Sequence, residues 1–230
     1  MTAIIVSLAA LLAVPVGYLY WRYVWFFRNP PRVPPPGDNF VSPADGTVVY
    51  VSLVKPQQEV ITIKQGLPAR LSDIVREDLD SAKILIGIFM SPFSVHYNRV
   101  PLSGQVEFIR HHPAILKNHC MAPMHWRTVL KQPPFYKNAV HIVNNERTVT
   151  KFTGLFKGKP LSYYIVQIAG KSVNGIDSFF GPRDQLSKGN IFGMIRIGSQ
   201  VDLVVTYSPE MDIRVKPGDK VRAGESILIA

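Results

Sequence analysis

The stretch FGMIRIGSQVDLVV, residues 192–205, places the pair Gly198-Ser199 between two apolar runs, Phe192 to Ile197 and Val201 to Val205. Such runs predict a β-strand, which the pair interrupts. Glycine tolerates strained backbone angles and leaves its carbonyl open to attack. The Ser199 oxygen can therefore turn the amide into an ester, whose elimination and hydrolysis would cut the chain and leave a pyruvoyl group at residue 199. The alternative interpretation is an ordinary turn.

Outward from this pair, short segments rich in β-branched and aromatic residues predict strands along most of the chain. One segment, Leu67 to Leu79, instead carries apolar residues at helical spacing and predicts an amphipathic helix. The sequence thus favours a mainly β (α+β) fold. The predicted strands are Thr47–Val54, Val60–Lys64, Ile84–Met90, Gln105–Ile109, Ala139–Val143, Thr148–Phe152, Tyr163–Ile168 and Val201–Thr206.

Two segments, SPADGTVVYV (42–51) and KPGDKVRAGESILI (216–229), each place an Asp-bearing turn before a strand. The second resembles the hammerhead turn of biotinyl and lipoyl domains, although it lacks their modified lysine in its usual setting. The resemblance implies a compact β-sandwich or barrel hybrid related to those domains, without a swinging arm.

The composition favours an anionic partner. The 230 residues include 26 Lys and Arg against 16 Asp and Glu, a formal net charge of +10. The basic residues are scattered, and no aromatic-rich signature of RNA binding accompanies them, so we expect a lipid surface and no nucleic acid. Cys120 is the only cysteine, which excludes an intrachain disulfide.

The N-terminus predicts a membrane anchor. Ala3 to Leu19 carries no charge, and the aromatic residues that follow it are typical of a membrane interface. Positive charges at Arg22, Arg28 and Arg32 lie only on the C-terminal flank, which predicts the inner cell membrane with the catalytic domain on the cytoplasmic side. We therefore divide the chain into an anchor helix (1–27), a Pro-rich linker (28–39) and a globular domain (40–230). A cleaved signal peptide and a helix lying in the interface are the alternatives.

Several polar residues are candidates for chemistry. Asp45 lies in an Asp-Gly turn, and His96 follows a predicted strand. A histidine near its ordinary pKa can move protons at neutral pH, but a structural role is the alternative for both residues. Arg196 and Lys188 lie near the Gly-Ser pair and could bind a phosphate or carboxylate, or could simply be solvated.

The segment 111–140 mixes histidines, apolar residues and basic residues. The spacing of its His and Cys side chains matches no common zinc pattern, so we predict no metal site. Its apolar residues either pack in the core or form a loop that dips toward lipid and admits a head group. The residues considered as metal ligands are His111, His112, His119, Cys120 and His125.

The chain resembles the short form of the phosphatidylserine decarboxylase family. The resemblance covers most of residues 27–230, with the matching segments in the family's order. They are FRNPPR (27–32), VSPADGTVVYV (41–51), IFMSPFSVHYNRVPLSG (88–104), NNER (144–147), VQIAG (166–170), FGMIRIGSQVD (192–202) and VKPGDKVRAGESILIA (215–230).

The resemblance implies that the chain cuts itself between Gly198 and Ser199. Asp45 would orient and charge His96, which would take the proton of the Ser199 hydroxyl. Residue 199 would become a covalent pyruvoyl cofactor, with no metal or diffusible cofactor required. The residue positions also depart from the family, since Arg99 replaces a second histidine of the long form and Gln200 stands where arginine is common in short forms.

The implied activity is decarboxylation of phosphatidylserine to phosphatidylethanolamine, with His96 as the acid that protonates the product. The implied partners are phosphatidylserine, an anionic membrane surface and the two cleavage fragments, which would form a heterodimer able to assemble further. One alternative is a pyruvoyl-dependent decarboxylase acting on another serine lipid or an amino acid. The other is a non-enzymatic, membrane-anchored β-domain.

Overall fold

The computed structural model describes residues 11, 13–64, 67–76, 81–171, 175–196 and 198–230. The described chain is mainly β, which confirms the predicted class. Its strands are β1 (Phe40–Val41), β2 (Gly46–Val54), β3 (Glu59–Lys64), β4 (Leu67–Arg70), β5 (Lys83–Met90), β6 (Tyr97–Arg99), β7 (Gly104–His112), β8 (Arg147–Phe156), β9 (Lys159–Ala169), β10 (Ile176–Ser178), β11 (Gln185–Leu186), β12 (Ile191–Ile195), β13 (Ser199–Thr206), β14 (Lys220–Val221) and β15 (Ile227–Ile229).

Within the described residues, four helical segments accompany the strands. Helical residues 13–20 continue into a π-helical turn, Trp21–Trp25, and together form α1. The others are α2 (Leu71–Val75), α3 (Ala122–Val129) and α4 (His141–Asn144).

An antiparallel sheet of eight strands, in the order β11-β7-β8-β9-β13-β5-β2-β14, forms the centre of the fold. Strand β13 lies inside it, with Ser199 opposite Met90 of β5 on one side and opposite Ala169 of β9 on the other. Three smaller sheets, β1-β15, β10-β12-β6 and β3-β4, complete the structure.

The central sheet carries an apolar core on each face. Strand β5 shows the division, because Ile84, Ile86 and Ile88 belong to one core and Leu85 and Phe89 to the other. Alternate side chains of a strand point to opposite faces, and β5 is buried along its whole length. The first core is covered by residues of β1, β12 and β15, whereas the hairpin β3-β4 and α2, α3 and α4 cover the second.

Three predicted elements were wrong. Ala139–Val143 is not a strand, since α4 covers its second half. The helix expected over Leu67–Leu79 is a strand, β4, followed by the short helix α2, and its positions 77–79 lie outside the described residues. The runs on either side of Gly198 are not one interrupted strand, because β12 and β13 belong to different sheets. In each case tertiary pairing overrides the local pattern.

The N-terminal segment packs against the domain through its last residues. Phe26 is fully buried, and the linker residue Arg32 forms ion pairs with Asp45 at 2.9 Å and Glu225 at 2.8 Å. No helix within the described part of the chain is long and apolar enough to cross a membrane. Residues 1–10 and 12 of the predicted anchor lie outside that part.

Candidate functional site

Ser199 begins β13 and is fully buried between its two neighbouring strands. Its hydroxyl lies 3.4 Å from the Met90 sulfur, which also accepts a 3.7 Å contact from the Asn98 amide. Gln167 in turn donates to the Asn98 oxygen at 2.8 Å. Our sequence analysis did not single out Met90, Asn98 or Gln167, although all three lie in the quoted motifs and could have been found there.

Gly198 has a backbone that suits cleavage. Its φ is +63°, in the left-handed region that favours glycine. A Cβ atom placed on it would meet no atom of the described residues within 4 Å, apart from its chain neighbours, so the space on that side of Gly198 is open. Gly198 also lines a cavity of about 190 Å³, together with Phe89, Cys120 and His125. The bond expected to break is therefore accessible from one side.

His96 lies in the turn between β5 and β6 and is buried. Its Nδ1 is 2.9 Å from the carbonyl oxygen of Ser94, which can only accept, so Nδ1 carries the proton. Burial, with a smaller contribution from the charge of Arg28, lowers the pKa of His96 to about 4. The imidazole is therefore neutral at pH 7, and its Nε2 has no hydrogen-bond partner among the described residues. It is a free base held in one tautomer.

Asp45 is not hydrogen-bonded to His96. One of its oxygens accepts from Arg32 at 2.9 Å, and the other accepts from the backbone N–H of Ala223 at 2.7 Å. The Ser94 carbonyl holds the His96 ring instead. The structure thus places His96 in the turn that follows Met90, the residue whose sulfur contacts Ser199. It pairs Asp45 with Arg32 of the linker instead of with His96.

A second buried polar cluster lies on the other face of β13. Asp202 accepts from Tyr50 and from Gln200, each at 2.7 Å, and His141 Nε2 lies 3.0 Å from the Gln200 oxygen. Burial raises the pKa of Asp202 to about 6. Gln200 was noted only because it stands where arginine is common in short forms of the family. Its partners were not predicted, because period-two alternation does not reveal which distant side chains meet.

The segment 111–140 divides its apolar residues between core and surface. Met121 and Met124 are buried, whereas Trp126 is 59% exposed. Two residues of α3, Ala122 and His125, also line the cavity at Gly198. Within the described residues, no three His, Cys, Asp or Glu side chains come close enough together to hold a metal ion.

The two basic residues near the Gly-Ser pair have other partners. Arg196 forms an ion pair with Asp177 at 3.0 Å. The Lys188 ammonium donates to the Gly37 carbonyl at 2.7 Å and to the Asn39 side chain at 3.1 Å. Both side chains therefore support loops of the domain.

Comparison with known proteins gives consistent matches. A family model described as phosphatidylserine decarboxylase matches residues 19–229. A phosphatidylserine decarboxylase proenzyme of Geobacter metallireducens is 34% identical over 224 residues, which cover 94% of this chain and 81% of that protein. One of Geotalea uraniireducens is 30% identical over an alignment of 237 positions, which covers 97% of this chain and 91% of that protein.

An archaeal relative carries a different name. A protein of Methanopyrus kandleri, named provisionally as an archaetidylserine decarboxylase proenzyme, is 34% identical over 206 residues. The match covers 89% of this chain and 80% of that protein.

Proposed function

Because this chain belongs to the phosphatidylserine decarboxylase family, we propose that it converts phosphatidylserine to phosphatidylethanolamine after cutting itself between Gly198 and Ser199. The observation that carries the proposal is the pair itself. An open, left-handed Gly198 precedes a Ser199 that two strands hold in place. Relatives named as proenzymes support the processing step.

Residue 199 is suited to become the prosthetic group. A pyruvoyl group there would supply the electron sink that decarboxylation needs. The described residues fit such a group, since the Ser199 side chain has only a weak contact to the Met90 sulfur and the neighbouring Gly198 opens into a cavity. The backbone of β13 would hold the new chain end on both sides.

His96 is the proposed base for self-cleavage. Its unpartnered Nε2 can accept the proton of the Ser199 hydroxyl as the oxygen attacks the Gly198 carbonyl. The Ser94 carbonyl supplies the orienting contact that a carboxylate gives in a triad. The same ring, once protonated, would return a proton to the substrate's α-carbon.

Asp45 was predicted to orient His96 directly, and we propose that it does so indirectly. Its ion pair with Arg32 joins the linker to the domain, close to the segment that places Phe26 on His96, with ring centroids 4.2 Å apart. We propose that Asp45 acts on His96 through this packing. Asp45→Asn would then slow self-cleavage without shifting its pH midpoint.

We propose that the N-terminal segment holds the enzyme at the inner cell membrane, with its catalytic domain in the cytoplasm. Exposed aromatic residues at the end of this segment, among them Tyr20, Tyr23 and Trp25, support an interfacial position. Deleting residues 1–17 is expected to move the protein from the membrane fraction to the supernatant. Protease added to intact spheroplasts should leave the domain uncut, and it should cut the domain after lysis.

Intact-mass spectrometry of the purified protein tests the central step. We expect a long fragment, 1–198, and a short one of 32 residues (230 − 198) that begins with the modified residue. Ser199→Ala should abolish both fragments, whereas Ser208→Ala, at a half-buried serine two residues after β13, should leave them unchanged. An uncut chain that still releases carbon dioxide from phosphatidylserine would contradict the proposal. An uncut, inactive chain that binds membranes would favour the non-enzymatic domain.

Archaetidylserine is the second candidate substrate, because the match to the Methanopyrus kandleri protein is as high in identity as the match to the Geobacter metallireducens protein. Carbon dioxide release from matched vesicles of the two serine lipids, with free serine as a third arm, distinguishes the candidates. We expect the highest kcat/KM with phosphatidylserine.

A further inference from the structure

A second, larger cavity lies beside the one at Gly198. It has a volume of about 340 Å³, and its wall contains two basic residues, Arg28 and Lys220, and one carboxylate, Asp45. The hydroxyl-bearing residues of the wall are Thr47, Ser91, Ser94 and Thr128, of which Thr128 already donates its hydroxyl to the carbonyl oxygen of His125 at 2.7 Å. Cations and hydroxyl donors facing one space form an environment that suits an oxyanion.

Neither cation of this wall forms an ion pair with a carboxylate of the described residues, although the charge of Asp45 acts on Arg28. Arg28 donates to the carbonyl oxygens of Trp25 at 3.0 Å and Phe93 at 2.5 Å, and Lys220 donates to the Thr47 hydroxyl at 2.7 Å. Asp45 is already paired with Arg32. Among the described residues of the wall, the balance of charge is therefore positive.

The two cavities share part of their walls. Phe89 and His125 line both of them, so the larger cavity is a direct neighbour of the space at Gly198. The smaller cavity has a more apolar wall, with Phe89, Pro92 and Met121. A molecule with an anionic group in the larger cavity could thus extend a short head group toward residue 199.

We propose that Arg28 and Lys220 bind the phosphodiester of the substrate lipid, while its serine head group extends into the smaller cavity beside Gly198. This inference rests on the proposed function and assigns the phosphate to a different place from Arg196 and Lys188, which are not among the residues lining the two cavities. A phosphodiester carries one negative charge and several acceptor oxygens, which matches two cations and the hydroxyl groups of Thr47, Ser91 and Ser94 in one wall.

Steady-state kinetics on processed enzyme test the assignment. With monomeric short-chain phosphatidylserine, below the concentration at which it forms micelles, Lys220→Met is expected to raise KM about tenfold with little change in kcat. Lys220→Arg should restore most of the affinity. Lys216→Met removes an equal charge four residues away, outside both cavity walls, and serves as the matched control. Intact mass confirms that each variant carries the same processed residue 199.

A substrate analogue with an uncharged phosphate group gives a more specific test. Methylating the phosphodiester removes its charge, so the wild type should show the raised KM on this analogue, and Lys220→Met should show no further increase. If the Arg28→Gln variant is processed normally, it should show the same rise in KM as Lys220→Met. If it is not processed, the kinetics of Lys220→Met alone test the assignment.

The possible failures are distinct. No turnover of phosphatidylserine by processed wild-type enzyme would overturn the proposed function and this inference with it. Normal turnover with unchanged KM in Lys220→Met, or equal changes in Lys220→Met and Lys216→Met, would overturn the inference alone. An effect seen only on vesicles rich in phosphatidylglycerol, and absent with monomeric substrate, would assign Lys220 to the membrane surface and also overturn it.

Discussion

His96 is a base because of where its side chain is placed. Burial favours the neutral ring, the Ser94 carbonyl fixes the proton on Nδ1, and Nε2 has no hydrogen-bond partner in the part of the chain that the structure describes. The pKa of the ring is lowered to about 4 from an ordinary value of 6.5. The neutral form therefore predominates at every pH above about 4, and it is lost only as the pH falls through that value.

Self-cleavage is therefore expected to be insensitive to mild acid. The rate at pH 5.5 should stay within about twofold of the rate at pH 7.5, whereas a histidine of ordinary pKa would lose about tenfold over that range. Denaturing gels of freshly synthesised precursor would give the rates. Asp202, on the opposite face of β13, has a pKa of about 6 and could also affect the rate in this pH range. Measuring the same rates in Asp202→Asn, which lacks this titration, separates its effect from that of His96. A midpoint near pH 6.5 in both proteins would contradict the assignment.

Gly198 supplies a conformation that other residues reach only with strain. Because a Cβ there would meet no atom, Gly198→Ala isolates the cost of a positive φ, about 1 kcal/mol. We expect the variant to fold, to unfold at slightly lower denaturant concentration and to cleave more slowly. Denaturant unfolding of Gly198→Ala in the uncut Ser199→Ala background measures the first effect. An unchanged stability would show that the left-handed conformation is not required.

At the level of elements, α4 shows why a β-branched pattern misled the prediction of a strand. The guanidinium of Arg147, fully buried at the start of β8, donates to the carbonyls of Asp73, Ile74, Ile142 and Asn145. These oxygens lie in or directly after α2 and α4, where helices leave carbonyls without partners. A distant side chain thus completes both helix ends, and the sequence of AVHIV alone carries no sign of it.

Replacing Arg147 should therefore damage both helices at once. Arg147→Met leaves several buried carbonyls without donors and is expected to lower the free energy of unfolding by about 3 kcal/mol or more. Arg147→Lys should recover only part of this loss, because an ammonium cannot reproduce the planar set of donors. Urea unfolding monitored by circular dichroism would measure both variants. Equal stability of Arg147→Met and wild type would refute this role.

For the whole molecule, the sequence predicted the strands better than the contacts between distant side chains. The predicted strands in β2, β3, β5, β7, β8, β9 and β13 were confirmed because each combines β-branched residues with its own turn signals. Gly198, Ser199 and His96 could be proposed as site residues because they stand in motifs, and their roles stay predictions. The partner of Asp45 could not be predicted, since Arg32 reaches it from the linker through packing that only the folded chain defines. The same holds for Tyr50 and His141, which meet Gln200 and Asp202 across the sheet.

The position of β13 has a consequence for the molecule once it is cut. The short piece would remain joined to the long one by β13 between β5 and β9, by β14 along β2 and by β15 along β1. Releasing it means opening the interior of the central sheet, so the two pieces should part no faster than the molecule unfolds. Isotope-labelled and unlabelled enzyme, mixed and incubated under native conditions, should yield no hybrid molecules. Each enzyme molecule would then retain the short fragment produced by its own cleavage, without exchange between molecules.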